Sequence, residues 1–268
     1  MGRWLSRVYA TVLTMKRKLT ENLKRIRHRI EEACVRADRN PENVQIVAVT
    51  KYATLDVIRG LLDIGVPILG ENRVQELTKR AAMIHEGLSR REPDPDAPPR
   101  PGPAWHMIGH LQRNKVKALL PWVDMIHSVD SLRLAEEIDA QAAKLDLTIP
   151  ILLEVNAGGE ANKLGVAVPA VTHLAEQVDS LEHIELRGLM AMAPLTDDVG
   201  LIRHTFERVR DLFDEIIGER LCSPRFGELS LGMSQDFEYG IEAGATYVRI
   251  GSALFEGIEM GALPAHVE

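Results

Sequence analysis

From residue 44 to residue 251 short apolar runs alternate with amphipathic stretches. The runs are VQIVAVT (44–50), VPILG (66–70), AWHMIG (104–109), VDMIHSV (123–129), IPILLEVN (149–156), IELRGLMAM (184–192), ELSLG (228–232) and ATYVRIG (245–251). They are short and rich in β-branched residues, and turn-forming residues flank them, which predicts strands. The stretches 54–63, 72–87, 112–120, 131–145, 168–179, 198–217 and 234–243 space their apolar positions by three and four, which predicts helices. A further helix precedes the first strand, where Leu19, Leu23, Ile26, Ile30, Ala33 and Ala37 recur at helical spacing until DRNPEN (38–43) breaks it. Strict strand–helix alternation predicts a parallel sheet. Eight such units in roughly 210 residues predict a closed (β/α)8 TIM barrel. An open doubly wound sheet is the alternative, although no dinucleotide-type glycine fingerprint follows the first strand.

Composition narrows the classes. The 268 residues suit one large domain or two small ones, and 45% hydrophobic content supports a sizeable core. A net charge of −7, from 32 basic and 39 acidic residues, excludes a global attraction for nucleic acid or anionic membrane. Cys34 and Cys222 lie far apart without metal-ligand spacing, which predicts free thiols in a reducing cytoplasm and no metal. No run reaches the roughly 18 apolar residues of a membrane span. Residues 1–14 are read as a disordered extension ahead of Met15, because Arg3 and Arg7 interrupt any secretory core; an organelle-targeting peptide is the alternative. The barrel is assigned to residues 15–260 and a tail to 261–268. Within the barrel, SRREPDPDAPPRPGP (89–103) holds six prolines and one alanine, which predicts a flexible surface insertion.

In an α/β barrel the chemistry sits where the strands end. Here those ends collect polar residues: Lys51, then Glu71 and Asn72, then Gly109 and His110, then His127 and Ser128, then Asn156 leading to Lys163. Met190 follows on the sixth strand, Gly232 and Ser234 on the seventh, and Arg249, Gly251 and Ser252 on the eighth. GMS (232–234) and RIGS (249–252) are glycine turns after the last two strands, the usual phosphate seat of such barrels. A partly desolvated lysine at a barrel mouth can attack a carbonyl. Lysine and phosphate seat together suit a phosphorylated aldehyde, either pyridoxal 5'-phosphate (PLP) or the substrate of a Schiff-base aldolase. His106 is read as a packed core residue, and His127 is left open.

The segments AVTKYATLDVIRGLLDIGVPILGENRVQELTKR, WHMIGHLQRNK, HSVDS, EVNAGGEANKLGV, LRGLMAM and LSLGMSQDFEYGIEAGATYVRIGSALFEG resemble, in this order, the YggS/PROSC family of pyridoxal phosphate homeostasis proteins. The resemblance runs from about Leu19 to Gly257 and implies a single barrel of the alanine racemase type without the racemase β domain. It implies that Lys51 holds PLP as an aldimine, that Asn72, His110 and Met190 surround the ring, that Ser234, Gly251 and Ser252 hold the phosphate, and that Arg249 approaches the ring nitrogen. It further implies a carrier that supplies PLP to apoenzymes. The alternatives are an amino acid racemase and, further off, a Schiff-base aldolase. A racemase needs a second base opposite the lysine. Tyr52 is next to Lys51, but adjacent strand residues point apart, so the carrier is preferred. Without the β domain a monomer is expected, and Lys163 is a candidate for a transient second imine during release. The N-terminal extension, the proline-rich insertion and Glu256 depart from the family pattern.

Overall fold

A computed structural model describes residues 2–90, 102–159 and 164–260, with side chains from residue 12 onward. Helix α1 (Gly2–Arg36) leads into strand β1 (Gln45–Val49), α2 (Leu55–Asp63), β2 (Ile68–Glu71), α3 (Val74–Ser89) and β3 (Ala104–Met107). Next come α4 (Val116–Leu119), β4 (Met125–Val129), α5 (Leu132–Ala143), β5 (Ile149–Asn156), β6 (Val166–Ala167) and α6 (Val171–Asp179). The chain continues through β7 (Ile184–Ala191), α7 (Val199–Gly218), β8 (Glu228–Met233), α8 (Phe237–Glu242) and β9 (Tyr247–Ile250).

All pairings are parallel, in the order β1-β2-β3-β4-β5-β7-β8-β9, and β9 returns to β1. The sheet is therefore a closed eight-stranded barrel, and the open-sheet alternative is ruled out. The short β6 pairs with β5 outside this ring. The expected helix over 112–120 is a single α-turn flanked by 3₁₀ turns at Arg113–Lys115 and Leu120–Trp122. Pro121 lacks the amide that would continue the ladder.

Period-2 alternation sorts the strand residues between two cores. On β9, Val248 and Ile250 pack outward against the helices while Tyr247 and Arg249 point inward. Val47, Met125, Leu152, Met190 and Tyr247 form the apolar interior of the barrel. The larger core lies between strands and helices, where Leu19, Ile26, Ile58, Leu61, Phe206 and Phe237 are almost fully enclosed.

Helix α1 begins at Gly2, so the stretch ahead of Met15, expected to be disordered, is helical backbone. After Gly2 it contains no proline or glycine to interrupt the helix that follows. The helix is tied to the segment after β9: Asn22 Nδ2 donates to Leu254 O (2.9 Å) and Glu256 O (3.0 Å), and Arg25 pairs with Glu256 at 2.8 Å. Residues 91–101 of the proline-rich insertion, Lys163 and the tail 261–268 lie outside the described residues. Among the described residues no helix is long and apolar enough to cross a membrane, no cluster could hold a metal, and both cysteines are free.

Candidate cofactor-binding site

A cavity of about 970 Å³ opens at the C-terminal ends of β1, β8 and β9, walled on one side by the segment after β7. Lys51, Ser234, Arg249, Gly251 and Ser252 line it, together with Tyr52. The structure thus gathers five of the eight predicted site residues around one space.

Lys51 reaches this mouth because the turn behind it is clamped. Thr50 is fully buried; its amide donates to Gly70 O (2.9 Å) and its hydroxyl to Glu71 Oε1 (2.6 Å). Arg80, from α3, donates to both Thr50 O and Glu71 Oε1, and its other nitrogen lies 3.4 Å from Lys51 O. Ala53 N closes the turn on Thr50 O at 2.8 Å, and Thr54 caps α2 through Val57 N. Burial pushes the Glu71 carboxyl up, against the pull of Thr50 and Arg80. Lys51 itself is exposed rather than half-buried, with its ammonium 5.2 Å from the centre of the Tyr52 ring. The two side chains do not point apart. They belong to a turn after β1, where strand alternation no longer applies.

The expected anion seat falls at the last two strand ends, where the two turns are bonded to each other. Ser234 Oγ accepts from the amides of Gly251 (3.1 Å) and Ala253 (3.3 Å), which leaves its own proton for an acceptor in the cavity. The turn requires Gly232: φ is +84°, and a Cβ there would stand 2.5 Å from Phe237 Cα. The adjoining helix α8 starts differently from expectation. Asp236 Oδ1 takes the Met233 amide at 2.5 Å, so a side-chain carboxylate occupies that donor.

Arg249 is held deep in the floor. Its Nη1 donates to Ser230 O (2.7 Å) and Ser230 Oγ (2.6 Å), and Nη2 donates to Ala191 O (2.9 Å). Burial lowers its pKa to about 10 against the attraction of Asp236 and Glu154, so it stays a cation at neutral pH. Two buried acids near it were not foreseen. Asp236 is raised mainly by burial, and Glu154 is raised to about 7 by burial and then by Asp130, with Arg249 opposing. Strand parity could have found Glu154, since Leu152 and Glu154 share the inward face of β5.

Three predicted residues stand elsewhere. Met190 is buried in the apolar barrel interior. Asn72 is exposed, with its backbone so close to Gly109 that a Cβ on the glycine would lie 2.5 Å from Asn72 O. His110 is exposed and sits 3.5 Å from Asp130. None of the three lines the cavity. His106 is a buried, hydrogen-bonded core residue, and His127 is fully buried beside it.

Residues 22–258 match the family model described as the alanine racemase N-terminal domain. The chain is 38% identical to the pyridoxal phosphate homeostasis protein of Aquifex aeolicus over 235 residues, 88% of this chain and 96% of that one. It is 34% identical to the protein of the same description from Pseudomonas aeruginosa, over 91% and 97% of the two chains. Among solved structures, PipY of Synechococcus elongatus with PLP bound superposes with a TM-score of 0.73 at 30% identity, covering 88% of this chain and 99% of PipY. An alanine racemase of Clostridium difficile shares the fold, with a TM-score of 0.66 at 15% identity over 92% of this chain and 57% of that one. Barrel, strand-end residues and relatives agree, and the chain belongs to the pyridoxal phosphate homeostasis protein family, built on the alanine racemase N-terminal domain.

Proposed function

We propose that this protein binds PLP covalently through Lys51 and serves intracellular PLP homeostasis by holding the cofactor and supplying it to apoenzymes. The observation that carries the reading is one cavity in which a primary amine, a serine-centred anion seat and a buried guanidinium meet. Each answers a polar feature that PLP presents to a protein: its aldehyde, its phosphate and its ring nitrogen. Bound PLP supplies an aldehyde that condenses with an amine. Lys51 Nζ would provide that amine, with water as the leaving group. The Ser234 hydroxyl and the Ser252 hydroxyl and amide would hold the phosphate, with Gly251 making the turn that brings them together. Arg249 would face the ring nitrogen and, as a cation, would disfavour protonation there, which would weaken the ring as an electron sink. For the carrier reading, the support is the position of Tyr52. Its ring lies against the Lys51 ammonium, so it is no second base on the opposite face, as a racemase requires. The carrier is a cytoplasmic monomer.

The test is the visible absorption spectrum of purified protein with added PLP. Wild type is expected to show a band near about 420 nm that Lys51→Ala loses, and mixing with an apoenzyme should restore that enzyme's activity as the band fades. A wild-type protein without the band would overturn the covalent reading.

A further inference from the structure

We infer that His106, His127 and Ser230 form a buried positioning relay that sets the orientation of Arg249 toward the cofactor. This rests on the reading of the cavity as a PLP site. The residues come from β3, β4, β8 and β9 and all face the barrel interior, where each is at most 5% exposed. His106 Nδ1 lies 2.9 Å from His127 Nε2, His127 Nδ1 lies 2.9 Å from Ser230 Oγ, and Ser230 Oγ lies 2.6 Å from Arg249 Nη1. Tyr247 packs its ring against both imidazoles, with centroids 5.7 and 5.5 Å away.

The direction of the chain follows from the donors. Arg249 can only donate, so Ser230 Oγ accepts from it. The serine proton then has His127 Nδ1 as its acceptor. That leaves the His127 proton on Nε2, donated to His106 Nδ1, and the His106 proton on its own Nε2. The opposite direction would aim two donors at Ser230 Oγ and strand the hydroxyl proton in a dry site. Both imidazoles are neutral in this arrangement. Burial lowers His106 to about 4 and holds His127 lower than its ordinary value, with His106 and Arg249 adding repulsion.

Packing alone does not call for this arrangement, since polar groups in a barrel interior are costly where apolar ones would serve. The relay locks the serine rotamer, and the serine takes Nη1 with both its carbonyl and its hydroxyl. With Nη2 held by Ala191 O, the plane of the guanidinium is fixed at the cavity floor. His127 and His106 are thus positioning residues that act through Ser230.

Two measurements test it. Histidine ¹⁵N NMR of the cofactor-free wild type should show both imidazoles neutral with the proton on Nε2 from about pH 5.5 to 8. PLP titration should show about a tenfold loss of affinity, and a changed pH titration of the visible band, for Ser230→Ala and His127→Phe. His127→Asn, which keeps an acceptor near the Nδ1 position, should recover most of both. A charged imidazole, or a His127 proton on Nδ1, overturns the relay even if no variant folds. Folded variants with wild-type affinity and titration overturn it as well. If wild type shows no band with PLP, the reading of the site falls and takes the role of Arg249 with it, while the NMR result stands on its own.

Discussion

Replacing Glu154 by glutamine isolates one buried acid and puts a sign and a size on its burial. Glutamine keeps the shape and the hydrogen-bonding capacity but cannot ionise. Glu154 is almost fully enclosed in the folded barrel and its pKa rises from 4.5 to about 7, because burial and Asp130 outweigh the attraction of Arg249. Between those values the folded chain keeps a proton that the unfolded chain has released, so stability falls as pH rises through that window. At about 1.4 kcal/mol per pH unit the full penalty is about 3 kcal/mol above neutrality and nothing below about pH 4.5. For a chain of this size that is roughly 6 °C in melting temperature. The assay is thermal unfolding of cofactor-free wild type and Glu154→Gln from pH 5 to pH 8. The variant should melt close to wild type at pH 5 and about 6 °C higher at pH 8. His106 titrates in the opposite sense, its lowered pKa removing stability as pH falls below about 6.5, but it does so in both proteins and cancels from the difference. A difference that does not change with pH would show that Glu154 does not titrate in this window. A variant less stable at pH 8 would show that the attraction of Arg249 outweighs burial. Either result refutes the reasoning.

Two more perturbations probe the cavity itself. Arg80→Met removes the cation that faces fully buried Glu71 and the clamp on Thr50 O; a loss of about 3–5 kcal/mol is expected from the unpaired acid, read as a lower melting temperature together with weaker PLP binding through the loosened Lys51 turn. Ser234→Ala deprives the amides of Gly251 and Ala253 of their acceptor and the phosphate of a hydroxyl, and should weaken PLP binding by about tenfold or more while Lys51 remains reactive toward a phosphate-free aldehyde such as pyridoxal.

The eight apolar runs all became strands of the ring, and the helical stretches between them became its outer layer. That much was local. A short, β-branched run such as VQIVAV between turn residues favours a strand, and strict alternation with helices favours parallel crossovers. Lys51, Ser234, Arg249, Gly251 and Ser252 were readable because a parallel barrel brings the residues after every strand to one face. Tyr52 was misjudged because strand parity was carried one turn beyond the end of β1. Helix α1 also begins earlier than expected, because nothing between Arg3 and Met15 stops a helix.

The sequence by itself determined the architecture, the end of the barrel at which the cavity opens and the lysine, serines and glycine turns that line it, because each depends on periodicity or on position relative to a strand end. Only the tertiary structure decided which polar residues meet. Glu71 finds Arg80, Glu154 comes under Arg249, and His106, His127, Ser230 and Arg249 join from four strands into one chain. Those contacts depend on register and on closure of the ring, where β9 returns to β1. Their energies depend on burial, which no stretch of sequence states on its own.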